Sequence, residues 1–116
     1  MTIKEAAKIL GCDIIANGQE LDKPLSSAFG ADLMSDVLAF AKHGTVLLTG
    51  MVNQHVVRTA EMLDVECIVF VRGKRPTDEV CSLANETGVT LMSCKHTLYA
   101  ACGMLYEQGL PPCSRL

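Results

Sequence analysis

Three short segments carry the residues whose types and clustering could do chemistry: Thr49-Gly50-Met51-Val52-Asn53, Arg72-Gly73-Lys74-Arg75-Pro76-Thr77 and Ser93-Cys94-Lys95-His96-Thr97. They hold Arg72, Lys74, Arg75 and Lys95, four of the ten Lys and Arg residues in a chain of net charge -3. Lys95 and His96 precede an expected helix, where the partial positive charge of the N-terminus disfavours another cation by roughly 0.3–1 kcal/mol. A bound anion relieves that conflict, and the free N–H groups after Asn53, Thr77 and Thr97 add donors for phosphate or carboxylate oxygens. The candidate ligand-binding set is therefore Thr49, Gly50, Asn53, Arg72, Gly73, Lys74, Lys95, His96 and Thr97. Its expected ligand is a small anion such as a nucleotide or a phosphorylated metabolite. The plainer alternative makes the arginine-rich segment a solvated turn neutralised by Asp78 and Glu79, with the three capping residues only capping. Gly50 and Gly73 are turn residues in either case, since neither lies in a P-loop or a dinucleotide fingerprint.

Catalytic readings are weaker. His43, His55 and His96 are too scattered to form a metal cluster. A Cys94 nucleophile assisted by His96, its pKa lowered by helix N–H groups, lacks a third, orienting residue. Asp32 and Asp36 read first as a helix cap and a helix-surface carboxylate. No catalytic residue, metal ligand or cofactor is expected, with a cysteine-dependent enzyme as the alternative. The six cysteines show no C-x-x-C spacing. Cys67, Cys81 and Cys102 read as small core hydrophobes. Cys94, after a strand, and Cys113, in a Pro-rich tail, are less easily assigned to a core.

Positioning these segments requires regular elements. Thr2-Ile3-Lys4-Glu5 is a capping box opening a helix over residues 3 to 10, with Gly11 as its stop. Short strands are expected at 12 to 16 and 25 to 29. Asp32 is expected to cap a helix from Leu33 to Lys42. The strand Thr45–Thr49, a helix capped by Asn53 and running to about residue 63, and the strand Cys67–Val71 follow. Thr77 caps the next helix, Val89–Met92 is the next strand, and the last helix runs from about Thr97 to Gln108. Residues 113 to 116 are expected to be a tail on a single domain spanning 1 to 116. The strands are nearly continuous apolar runs, as strands covered on both faces are. The expected fold is α/β, a mainly parallel sheet between helical layers, with a mixed edge from the N-terminal strands.

Composition bounds the rest. Apolar residues make up 49% of the 116, enough for a core, and charged residues 20%. The longest apolar runs are far short of the roughly 20 residues of a membrane helix. The start of the chain lacks the layout of a secretory signal, so a cytoplasmic location is expected. An acidic net charge and 4% aromatic residues argue against nucleic acid as a partner.

The segments Gly30-Ala31-Asp32-Leu33-Met34-Ser35-Asp36-Val37-Leu38, Leu47-Leu48-Thr49-Gly50 and Cys67-Ile68-Val69-Phe70-Val71, with Leu91 to Thr97, resemble the DRTGG domain over about residues 25 to 110. This family is related to the N-terminal domains of HPr kinase and Mur ligases. The letters that name it are largely replaced: its Asp-Arg position falls at Val52-Asn53, and its Thr-Gly-Gly position at Val71-Arg72-Gly73, keeping only the last glycine. The chain looks most similar to stand-alone members encoded beside iron-only hydrogenases in anaerobic bacteria. The resemblance implies a sheet-and-helix fold, a regulatory role, a tendency to form homodimers and a hydrogenase-related protein partner. Docking on such a partner would use Ala100, Gly103 and Met104 on the last helix. Kinase chemistry is not implied, because the chain has no phosphate-binding loop.

Overall fold

The computed structural model describes residues 1–113. The chain opens with α1 (Ile3–Leu10) and β1 (Asp13–Ala16), then a single 3₁₀ turn (Gly18–Glu20) and β2 (Ser27–Gly30). It continues as α2 (Met34–Phe40), β3 (Thr45–Thr49), α3 (Gln54–Met62), β4 (Cys67–Phe70), α4 (Asp78–Thr87), β5 (Thr90–Ser93) and α5 (Leu98–Glu107).

The five strands form one sheet in the order β1-β5-β4-β3-β2. Strands β2 to β5 are parallel, and β1 runs antiparallel against β5. The two N-terminal strands therefore lie at opposite edges, and only β1 makes its edge mixed. The parallel strands step one place at a time in one direction. Crossovers of a single hand consequently put every connecting helix on the same face.

Two cores result. On one face Met34, Val37, Val56, Val57, Ala60, Val80 and Ala84, from α2, α3 and α4, pack on Leu47, Ile68, Phe70 and Leu91. On the other, Ile3, Ala6, Leu10, Ala101 and Leu105, from α1 and α5, pack on Val46, Leu48, Cys67, Val69 and Met92. Alternate residues of each strand thus serve opposite cores, which is why all of β3, β4 and β5 is buried. No helix among the described residues is long and apolar enough to cross a membrane.

The helix starts follow their capping residues. Thr2 and Glu5 form the complete reciprocal box, and Asn53, Thr77 and Thr97 each accept from the amide three residues on. The start of α2 departs from expectation: its N-cap is Leu33, without a side-chain cap bond, and the helix ends at Phe40 rather than Lys42. The chain also stays docked beyond the last helix. The Ala28 amide donates to the Pro111 carbonyl, the Cys113 amide donates to the Ala28 carbonyl, and Cys113 is buried. Backbone pairing along the outer edge of β2 thus holds the first residue of the expected tail. Residues 114–116 lie outside the described residues.

Candidate anion-binding site

All three candidate segments follow the carboxyl ends of parallel strands, where loops and helix N-termini gather. At one position these loops part company. The loop after β4 leads to α4 on one face, and the loop after β5 leads to α5 on the other. Such divergence opens a crevice above the sheet. A depression of about 480 Å³ lies there, lined by Gly11, Asp13, Gly73, Arg75, Ser93, Cys94, Lys95 and His96, with Leu10 at its side.

Backbone hydrogen bonds tie its two rims. The Arg72 amide donates to the His96 carbonyl (2.8 Å), and the Gly73 amide to the Cys94 carbonyl (2.8 Å). The Ser93 hydroxyl donates to the Lys74 carbonyl (2.8 Å). Arg72 and Gly73 take left-handed backbone conformations, with φ of 57° and 69°, to make this turn. Gly73 adopts that region freely; Arg72 does so at a cost and is held by the bond to His96.

Next to the crevice, Thr49, Gly50 and Arg72 converge with Asp32. The Asp32 carboxylate accepts from the Thr49 hydroxyl (3.0 Å) and the Gly50 amide (2.7 Å). A Cβ on Gly50 would fall 2.6 Å from Arg72 Nη2 and 3.6 Å from Asp32 Oδ1, so the guanidinium lies directly over the glycine beside the carboxylate. This replaces the expected role of Asp32. Charge-assisted bonds to two donors at the end of β3 outweigh one capping bond at α2.

The other candidates divide by the work their side chains already do. Gly73, Lys95 and His96 line the depression. Lys74 sits exposed on its rim, its amide donating to the Val71 carbonyl. Asn53 and Thr97 are engaged as caps by the Val56 and Ala100 amides, and Asn53 does not line the depression. Arg75 pairs with Asp13 of β1, rather than with Asp78 or Glu79. Both partners are largely exposed, so that pair contributes little. Among the described residues the remaining ion pairs belong to Lys23 and His43, leaving Lys74 and Lys95 without an acidic partner, while Arg72 has Asp32 nearby.

Thiol catalysis finds no support here. Cys94 is 2% exposed, and burial pushes its thiol pKa up, which leaves little thiolate at neutral pH and buries it away from a substrate. Cys67 is fully buried, as its apolar run implied, whereas Cys81 and Cys102 are only half-buried. No group of three or more metal-ligating side chains occurs among the described residues. Sequence reasoning missed Asp32, Asp13 and Ser93 as members of the constellation. Asp32 had one available signal, since it directly follows a strand whose carboxyl end faces the same side as the three loops.

A second concavity lies between α5 and the edge strand β2. It is an apolar groove of about 790 Å³ whose walls include Phe29, Gly30, Phe40, Tyr99, Cys102 and Tyr106. Gly103 lines it, while Met104 packs toward the α1 side. Tyr99 is 92% exposed.

The DRTGG domain profile matches residues 5–107. The chain belongs to the DRTGG domain family. No curated protein matches it. Among solved structures, this DRTGG domain is similar to the CBS and DRTGG domains of the regulatory region of Clostridium perfringens pyrophosphatase, a structure complexed with the activator diadenosine tetraphosphate. The TM-score is 0.73 at 17% sequence identity, over 95% of this chain. The match spans 47% of that structure's chain, about half its length, and what it shows is a shared fold.

Proposed function

We propose that this DRTGG domain is a non-catalytic regulatory module that binds a small anionic ligand, a nucleotide or phosphorylated metabolite, in the crevice between the β4 and β5 loops. The observation that carries this reading is a depression at the point where the loops diverge, lined by Gly73, Lys95 and His96, with Lys95 free of any acidic partner, Lys74 exposed beside it and Arg72 on the adjoining loop. The N-terminus of α5, which follows Lys95 and His96 directly, supplies further polarity suited to phosphate oxygens. The activator in the pyrophosphatase structure is itself a nucleotide, which makes this ligand class a reasonable first panel. Amide chemical shifts followed during titration with inorganic phosphate, nucleoside diphosphates and nucleoside triphosphates test the reading. Saturable shifts centred on Gly73, Lys95 and His96, weakened in Lys95→Ala, are the expected result. Flat titrations at millimolar ligand would overturn it.

A second reading is favoured by the apolar groove. Exposed Tyr99 and Tyr106 flanking a concave apolar surface are features of a protein-binding face. Its occupant is a second copy of the chain, or the hydrogenase-related partner implied by the family resemblance. Light scattering distinguishes these: a homodimer that Tyr99→Glu converts to a monomer supports self-association, while a monomer at high concentration leaves the external partner.

A further inference from the structure

The antiparallel register pairs Asp13 with Ser93 and Ile14 with Met92, and continuing it by one residue sets Cys12 opposite Cys94. Both cysteines belong to the core beneath α1 and α5, on the same side of the sheet as Met92. Directly opposed residues of an antiparallel pair have Cα atoms roughly 4.5–5.5 Å apart, inside the roughly 4.4–6.8 Å that a disulfide spans. Cys12 is the more accessible of the two, being half-buried where Cys94 is buried. Burial, followed by the proximity of Cys94, pushes the Cys12 thiol up to about 12. Both groups are therefore protonated thiols at neutral pH, and both cysteines are free in the structure.

We propose that Cys12 and Cys94 form a thiol–disulfide modification site that reacts with small-molecule disulfides of the glutathione type. Cys12 loses its proton and attacks one sulfur of the oxidised tripeptide. A mixed disulfide forms, and one glutathione thiolate leaves. The Cys94 sulfur, its proton passing to solvent, then attacks Cys12 Sγ and expels the second glutathione thiolate. Two protein thiols are oxidised by two electrons in total, and one small disulfide is reduced to two thiols.

The bridge closes a loop of about 80 residues, long enough to restrict the unfolded chain strongly. It also ties the turn after α1 to the loop after β5. Gly11 and Cys94 both line the depression under Lys95 and His96, so oxidation fixes that wall in place. The reaction is slow at neutral pH and accelerates as pH rises toward the Cys12 pKa, because the thiolate is the attacking species.

The test is incubation of the full chain with oxidised glutathione in mildly alkaline buffer, acid quench and peptide mapping without reductant. The expected product is a Cys12–Cys94 cross-linked peptide pair, with an intact mass lower by two hydrogens. It should have a Tm several degrees higher and slower amide exchange at Gly11, Lys95 and His96, all reversed by dithiothreitol. Cys12→Ser should abolish the intramolecular cross-link. Only a stable glutathione adduct on Cys12, a cross-link between other cysteines, or an unmodified chain would each overturn the proposal.

Discussion

Arg72 lies over Gly50 so closely that the smallest side chain at residue 50 would overlap its guanidinium, at 2.6 Å from Nη2. The obstructing atom is the end of a flexible side chain, so the conflict is resolved by moving Arg72 rather than the fold. Gly50→Ala is expected to change stability by less than about 1 kcal/mol while weakening phosphate binding roughly tenfold, the effect of losing one charge-assisted hydrogen bond. Calorimetric titration beside thermal denaturation separates the two effects; equal phosphate affinity in the variant would remove Arg72 from the site.

Asp32 holds the end of β3 to the start of the β2–α2 connection through two hydrogen bonds. Asp32→Ala leaves the Thr49 hydroxyl and the Gly50 amide without their acceptor in a part-buried setting. A loss of about 1–3 kcal/mol is expected in urea denaturation. If Asp32 were merely a cap of α2, Ser or Asn at this position would restore stability fully. The bond geometry predicts that neither does.

Gly30 packs against α5. A Cβ there would sit 2.6 Å from Cys102 Sγ and 3.4 Å from Leu98 Cδ1. Gly30→Ala is expected to destabilise the fold by about 1–3 kcal/mol through overpacking. Removing the obstructing sulfur in Gly30→Ala/Cys102→Ala should recover part of this, giving a favourable coupling in a double-mutant cycle. Additive single-mutant losses would place the strain elsewhere.

The Glu5 carboxylate accepts from the Thr2 amide in the capping box, and these Thr2 hydrogen bonds hold its pKa below the ordinary 4.5. A depressed carboxylate pKa contributes stability that is present above the unfolded value and lost as pH falls through the folded one. The first turn of α1 is therefore expected to fray below about pH 4.5 in the wild type. Glu5→Gln should remove that acid dependence. Amide exchange at Thr2 and Glu5 across the acid range measures it.

Much of this molecule was legible in order along the chain. Capping residues, stop glycines and apolar runs are local, and a helix start depends only on the few residues that follow it, so Thr2, Asn53, Thr77 and Thr97 announced their helices directly. Continuous apolar strands likewise implied a sheet covered on both faces, and parallel strands then put the three candidate loops at one end. Tertiary structure decided which distant groups meet. A sequence cannot show that Asp32 serves β3 instead of α2, because the choice depends on two donors brought by another strand. Nor can it show that Asp13 pairs with Arg75, that Pro112 and Cys113 line the edge of β2, or that Cys12 faces Cys94. Each follows from strand order and register, which fix long-range neighbours only once the whole sheet is assembled.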